Sequence, residues 1–261
     1  MNDLQLYFEQ NKGRLINKWH HYFEVYDTYL SKYRNKEIVI LEIGVFQGGS
    51  LQMWKHYFGE KAKIYGVDIN PDCKQFEEDN IEIFIGSQSD EKFLRELKSK
   101  IPPIDILIDD GGHEMKQQIV TFQELFSHIK KDGVYINEDL HTSYWFDYGG
   151  GYLRQGTFIE YSKKLIDQLN AYHSEQEKFQ VNDFTKSAYS IHYYDSMIVI
   201  EKREISTPLH STTGQPTIDF TNTKKTKAEK ITYKLLHSLN KIRKSLNLSS
   251  VATEKMINKR P

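Results

Sequence analysis

From about residue 38 to residue 140 the chain alternates short apolar runs with stretches of helical periodicity, and no other feature constrains its fold as much. The runs at 38–41, 64–67, 81–85, 104–108 and 134–136 read as strands of a parallel sheet covered on both faces. Between them, Leu51, Trp54, Tyr57 and Phe58 share one helical spacing, and so do Ile119, Phe122, Leu125, Phe126 and Ile129. Each stripe is expected to cover the sheet. A loop rich in Gly and Tyr follows at 139–156, then a helix at 158–172. Two further runs, 188–193 and 197–200, flank a turn at Tyr194-Asp195-Ser196 and predict an antiparallel hairpin. The predicted fold is α/β, a mostly parallel seven-stranded sheet closed by that C-terminal hairpin.

The segment Leu41-Glu42-Ile43-Gly44-Val45-Phe46-Gln47-Gly48-Gly49-Ser50 leaves the first strand and runs into a helix. Glycines there let backbone approach a ligand where a side chain would block it. In open α/β sheets the ligand lies beyond the carboxyl ends of the strands, near the topological switch, so the loop is placed to hold a nucleotide-like cofactor. A dinucleotide loop would read G-x-G-x-x-G, whereas here an acid precedes the first glycine and the next two are adjacent. Glu42-x-Gly44 followed by Gly48-Gly49 resembles the first motif of the class I S-adenosylmethionine (SAM) dependent methyltransferases. That resemblance implies their Rossmann-like fold, SAM as cofactor, and a loop including Ser50 that meets its methionine and ribose parts.

Other strand ends agree with it. Asp68 closes the second strand as an acid able to accept both ribose hydroxyls, where the family has its ribose-binding acid. Gly86-Ser87-Gln88-Ser89 ends the third strand; Ser87 and Gln88 either bond the adenine edge or form a turn and N-cap before a helix near Asp90. Glu42 either orients the loop or touches the methionine amino group.

A second constellation lies at the ends of the fourth and fifth strands, Asp109-Asp110-Gly111-Gly112-His113 and Asn137-Glu138-Asp139-Leu140-His141. Adjacent parallel strands would gather these carboxylates on the edge that carries the cofactor loop, a crowding of like charge that calls for a cation. Mg2+ suits such a set because it takes a few carboxylates and leaves positions for substrate oxygens. Asp110-Gly111-Gly112-His113 and Glu138-Asp139 are similar to the D-G-S-H and E-D motifs of the metal-dependent macrolide-sugar O-methyltransferases of the mycinamicin type. The resemblance spans roughly residues 14–200, with Gly112 where that family often has serine. It implies Asp110, Glu138 and Asp139 as ligands of Mg2+ or another divalent cation, Asp109 beside the cofactor and His113 as general base. The acceptor it implies is a hydroxyl of a sugar-containing small molecule. His141 is a rival base; His20, His21, His56 and His128 fall in helical patterns. Tyr144, Trp145, Tyr148 and Tyr152 in the Gly-rich loop either form a lid that stacks on a sugar ring or pack against the neighbouring helix. The N-terminal aromatics Trp19, Tyr22, Phe23, Tyr26, Tyr29 and Tyr33 have helical spacing and either cover the sheet or the SAM entrance or are plain core, the last being the simpler reading. Two other classes share these features: a relative of the cephalosporin-modifying hydroxylases, and a non-catalytic SAM-binding protein of a glycan-assembly complex. The acids and His113 count against the second.

Charge divides the chain further. Residues 205–261 hold 11 of the 35 Lys/Arg but only 3 of the 36 Asp/Glu, so an acidic body carries a basic tail, and nucleic acid is not the expected substrate. The tail reads as a polar linker at 211–217 and a basic amphipathic helix. Its stripe is Ile231, Leu235, Leu239, Ile242 and Leu246, set among Lys227, Lys230, Lys234, Lys241, Arg243 and Lys244. Such a helix docks on anionic membrane surfaces or acidic partners, a second copy included; a solvated helix docked within its own chain is the plainer expectation. The expected organisation is an N-terminal helical cap (1–36), a methyltransferase domain (37–204) and this tail (205–261). With no long apolar run, no signal-peptide pattern and the single Cys73, a cytoplasmic protein without disulfide or transmembrane segment is expected.

Overall fold

The structure, a computed structural model, describes residues 2–218, 227–246 and 248. Seven strands form one sheet: β1 (Val39–Ile43), β2 (Lys63–Asp68), β3 (Ile81–Ile85), β4 (Ile104–Asp109), β5 (Ile129–Asn137), β6 (Ala188–Tyr194) and β7 (Met197–Lys202). Their order is β3-β2-β1-β4-β5-β7-β6, parallel from β3 to β5, with β7 antiparallel to both β5 and β6. This is the predicted α/β architecture with its antiparallel closing pair.

Successive strand residues point to opposite faces. Ile40, Ile106, Ile108, Ile136 and Val199 enter one core, covered by α1 (Asp3–Gln10), α2 (Tyr22–Leu30) and α3 (Gly49–Phe58). Leu41, Leu107, Tyr135, Ile198 and Ile200 enter the other, covered by α4 (Glu91–Lys100), α5 (Met115–Leu125) and α6 (Phe158–Leu169). Fully burying a side chain such as Phe58 or Ile40 stabilises by roughly 1.5–3 kcal/mol, and these two layers hold the sheet between them. Three details differ from the periodicity. The first strand extends to Ile43, so Glu42 belongs to the strand and not to the loop. Ile129, expected on a helical stripe, opens β5, because α5 ends at Leu125 and a 3-10 turn at Phe126–His128 redirects the chain. The helix expected to reach residue 172 stops at Leu169.

The described residues form two compact units. One runs to Leu169 and includes Asp183–Ser206, with α7 (Asp183–Ser187) leading into β6. The described part of the N-terminal helical cap lies within this unit, where Leu4, Phe23, Tyr26 and Leu30 are part of the core. The other unit comprises Asn170–Asn182 and the described residues from Thr207 on, including α8 (Lys227–Ser245). Ile231, Leu235, Leu239 and Ile242 of its stripe are exposed. The rest of the tail expectation, at 219–226, 247 and 249–261, lies outside the described residues. No described helix is long and apolar enough to cross a membrane.

Topology places the site. The chain leaves β1 towards β2 and returns as β4 on the opposite side of β1, so the switch point lies between the carboxyl ends of β1 and β4. Ile43 pairs with Asp109, and Asp109 with Asn137. The next peptides stay in step: the Asp110 amide donates to the Ile43 carbonyl and the Glu138 amide to the Asp109 carbonyl, both at 2.9 Å. Gly44, Asp110 and Glu138 therefore stand abreast on one rim.

At the end of β7, Lys202 Nζ donates to the carbonyls of Phe126 (3.0 Å) and Ile129 (2.7 Å) and lies over the Phe126 ring. Burial pushes its pKa down to about 8. Between that pH and the unfolded value of about 10.4 only the unfolded chain holds the proton, so this residue makes stability rise with pH. The expected outcome is that the urea midpoint of the wild type gains more between pH 7.5 and 9.5 than that of Lys202→Met.

Candidate active site

A cavity of about 690 Å3 opens at the switch point, with Gly44 and Asp68 on one side and Asp110, His113 and Asp139 on the other. Gly44 has φ +96°, and a Cβ there would overlap the Asp110 carbonyl oxygen. The glycine thus serves the close approach of β1 to β4 as well as the cavity wall. Gly48 and Gly49 stand behind the wall, against the Phe76 ring and the backbone of Arg14 and Leu15. Their missing side chains make room for protein, not for ligand. Glu42, Ser50 and Asp109 are also behind the wall. Glu42 is fully buried and accepts hydrogen bonds from Ser50 Oγ (2.8 Å) and Trp54 Nε1 (3.1 Å), which ties β1 to the start of α3. Of its two readings, the structure favours orientation of the loop. Burial, opposed by Lys18, pushes its pKa up to about 7.

Asp68 lines the cavity, and its carboxylate organises the loop: Oδ2 accepts from the amides of Val45 (2.9 Å) and Phe46 (3.0 Å), and Oδ1 from Asn70 (2.9 Å). A carboxylate offers about four acceptor positions, so about one remains for a ligand hydroxyl rather than two. Ser87 and Gln88 also line the cavity. Gln88 bridges strand ends, donating to Asp109 Oδ1 (2.9 Å) and accepting from the Gly112 amide (2.7 Å). The N-cap of α4 is Asp90. Asp109 is held by Gln88 and by Asn137 Nδ2 (3.0 Å), and its burial raises its pKa to about 7.

The acids at the ends of β4 and β5 converge, but not on one point. Oδ1 of Asp110, Nε2 of His113 and Oδ2 of Asp139 form a group whose ligand atoms lie within 4.8 Å of one another. His113 Nε2 is 4.0 Å from that Asp110 oxygen and 3.5 Å from that Asp139 oxygen. The two carboxylate oxygens suit a hard divalent cation such as Mg2+ with added water, and the imidazole nitrogen beside them can serve either as a further ligand or, left uncoordinated, as a base. Glu138, which the resemblance puts among the ligands, has both oxygens engaged elsewhere, by Tyr26 OH (2.5 Å) and Lys18 Nζ (2.8 Å). Lys18 Nζ also reaches Asp110 Oδ2 at 2.5 Å, and Tyr22 OH donates to Asp139 Oδ1 at 2.9 Å. Burial raises the pKa of Glu138 strongly, with the Asp110 charge adding to it and Lys18 opposing it.

Sequence reasoning missed Lys18, Tyr22 and Tyr26. Tyr22 and Tyr26 fall within the N-terminal aromatic stripe and no motif singles out Lys18, yet the three recur every fourth residue with a polar head on each, a pattern that core packing alone does not require. Trp19, also read as core, lines the cavity and is 52% exposed. Its ring meets His141 edge-on, and His141 meets Trp145 in the same manner. His141 Nδ1 is paired with Ser196 Oγ at the β6–β7 turn. Of the four expected lid aromatics, Trp145 and Tyr148 line the cavity and Tyr144 and Tyr152 do not. His113 (φ +57°) and Asp139 (φ +55°) both hold left-handed backbone, which costs a non-glycine residue about 1–2 kcal/mol and concentrates where a site over-determines its geometry. Among the described residues, His113 Nδ1 is buried without a hydrogen-bond partner.

With the fold, the glycine turn, Asp68 and the acidic rim in place, the chain is a class I SAM-dependent methyltransferase by family. Within that class it is related to the macrolide-sugar O-methyltransferases. It is 35% identical to demethylmacrocin O-methyltransferase of Streptomyces fradiae over 72% of this chain and 51% of that one. It is 34% identical to 8-demethyl-8-alpha-L-rhamnosyl tetracenomycin-C 2'-O-methyltransferase of Streptomyces olivaceus over 72% of this chain and 52% of that one. The crystal structure of the MycE methyltransferase from the mycinamycin biosynthetic pathway, in complex with Mg and SAH, superposes with a TM-score of 0.69 at 30% identity, covering 77% of this chain and 54% of that one. The chain spans about half the length of the relatives it matches. No protein-family model matches it.

The raised pKa of Glu42 has a consequence for stability. Because the folded value of about 7 exceeds the unfolded value of about 4.3, the folded chain holds the extra proton, and this contribution is lost as pH rises through 7. Glu42→Gln removes the charge while its amide oxygen still accepts from Trp54 Nε1 and its amide NH2 can donate to the Ser50 hydroxyl, which reverses that one bond. The variant is expected to lose less stability than the wild type between pH 5 and pH 7.5, read from urea midpoints.

Proposed function

We propose that this chain carries out SAM-dependent O-methylation of a hydroxyl on a sugar or glycosylated small molecule, assisted by a divalent cation. The observation that carries the reading is the single cavity reaching from Gly44 and Asp68 to Asp110, His113 and Asp139, which lets a cofactor and an acceptor meet on one rim. The activity of the rhamnosyl tetracenomycin relative on a 2'-hydroxyl supports a sugar acceptor.

SAM, when bound, supplies an electrophilic methyl group on a sulfonium and leaves as S-adenosylhomocysteine. Gly44 gives it backbone to lie against, Asp68 offers its remaining acceptor position to the ribose, and Ser87 and Gln88 line the part of the cavity suited to the adenine edge. A free alcohol has a pKa near that of water, about 15.7, and is a poor nucleophile at neutral pH. A divalent cation held by Asp110 and Asp139, with Glu138 as a candidate third ligand, would lower that pKa. Nε2 of His113 takes the proton that the hydroxyl gives up as the oxygen gains the methyl group. Trp145 and Tyr148, with Trp19 packed like Trp145 against the His141 ring, offer flat apolar faces for a sugar ring and help exclude water.

The reading is tested by mixing the protein with SAM, Mg2+ and a panel of glycosides and measuring S-adenosylhomocysteine release, alongside calorimetry of SAM binding with and without Mg2+. Failure to bind SAM would sink it, and SAM binding without turnover on any acceptor would favour a non-catalytic role. His113→Ala is expected to lower turnover by about 100-fold or more while SAM affinity stays within about threefold. Unchanged turnover would remove His113 from the mechanism.

A further inference from the structure

The carboxylates of the candidate cation site already face a cation that belongs to the chain. The Lys18 side chain is only 2% exposed, and its ammonium bridges Asp110 Oδ2 (2.5 Å) and Glu138 Oε2 (2.8 Å), with Glu42 Oε1 at 4.0 Å. We propose that Lys18 is a positioning residue that competes with the divalent cation for these acids: by holding Glu138 and one oxygen of Asp110, it limits how many carboxylates the metal can take and how tightly the metal binds. This inference rests on the cation-assisted reading above.

The hydrogen bonds divide the acid oxygens into two sets. Tyr26 and Lys18 take both oxygens of Glu138, Lys18 takes Oδ2 of Asp110, and Tyr22 takes Oδ1 of Asp139. Asp110 Oδ1 and Asp139 Oδ2 are the oxygens that face His113 Nε2. A fixed positive charge a few ångströms from a bound dication repels it, and the buried Lys18 ammonium is poorly screened by solvent on its own side. A neutral side chain at position 18 would remove that repulsion and free Glu138 Oε2 and Asp110 Oδ2 to join the coordination, and hard divalent ions bind more tightly as carboxylate ligands are added. A lysine that merely supported the local structure would act in the opposite sense, because its loss would loosen the site and weaken metal binding.

The test compares the wild type, Lys18→Met and Lys18→Arg as full chains, titrated with Mn2+ and read from the paramagnetic resonance signal of the free ion, with neither SAM nor acceptor present. Lys18→Met is expected to bind Mn2+ about tenfold more tightly than the wild type or better. Lys18→Arg, which keeps the charge, should stay within about threefold of the wild type. Equal or weaker binding by the Met variant overturns the inference. Since that variant buries carboxylates without their counter-charge, it will be less stable in the absence of metal. Melting with and without saturating Mg2+ therefore gives a second readout, in which the shift on adding Mg2+ should be larger for Lys18→Met than for the wild type. An equal or smaller shift overturns the inference too. A wild type that binds no Mn2+ at millimolar concentration overturns the cation-assisted reading itself and the inference with it. A wild type that binds Mn2+ with no gain in the Met variant overturns the inference alone.

Discussion

The backbone register of three parallel strands is the constraint on which the site depends. β1, β4 and β5 end in step, and the amides of Asp110 and Glu138 continue the ladder for one residue beyond the strands proper. Two acids and the first glycine of the loop are thereby set side by side, and Asp139 and His113 are then turned inward by left-handed backbone. A one-residue slip in β4 or β5 would reverse which face each side chain meets and would exchange Asp109 for Asp110 at the cavity. The alternation of Ile106, Leu107 and Ile108 between two cores, one on each face of the sheet, is what forbids such a slip.

Gathering so much negative charge is expensive, and the fold answers it from the N-terminal segment. Lys18, Tyr22 and Tyr26 reach in from the chain ahead of β1 and give each of Asp110, Glu138 and Asp139 at least one donor. The same segment presses the backbone of Arg14 and Leu15 onto Gly49 at the start of α3 and sets Trp19 at the mouth of the cavity. One stretch of chain thus stabilises the acidic rim, closes the back of the cofactor loop and contributes to the acceptor wall. Coupling these tasks requires the segment to pack into the core of the sheet, as Leu4, Phe23, Tyr26 and Leu30 do.

The elements were legible to different degrees for identifiable reasons. The strands could be read because each is a short apolar run with polar punctuation, and β3 was placed to the residue. Ile129 was misassigned because an apolar residue spaced correctly from Phe126 fits a helical stripe whether or not the helix has already ended. The glycine loop was located correctly, but the reason for its glycines was not: Gly48 and Gly49 accommodate Phe76 and the N-terminal backbone, contacts formed by residues distant in sequence. Asp68, Asp110, Asp139 and His113 could be placed around one cavity from the sequence because strand ends in a parallel sheet share one edge, a rule that needs only the order of elements.

What the sequence by itself determined was the sheet, the position of its switch point and the acids at the ends of its strands, since these follow from local periodicity and from the restricted ways in which βαβ units connect. Only the tertiary structure decided how each acid is used. Asp109 looks like a ligand-facing residue in the sequence and Glu42 like either a ligand contact or a loop support, yet both are buried behind the wall, whereas Lys18, which no motif marks, lies among the carboxylates. The physical reason is that a carboxylate's role depends on which donors reach its oxygens, and here those donors come from 92 and 120 residues away along the chain. No local pattern encodes a meeting at that distance.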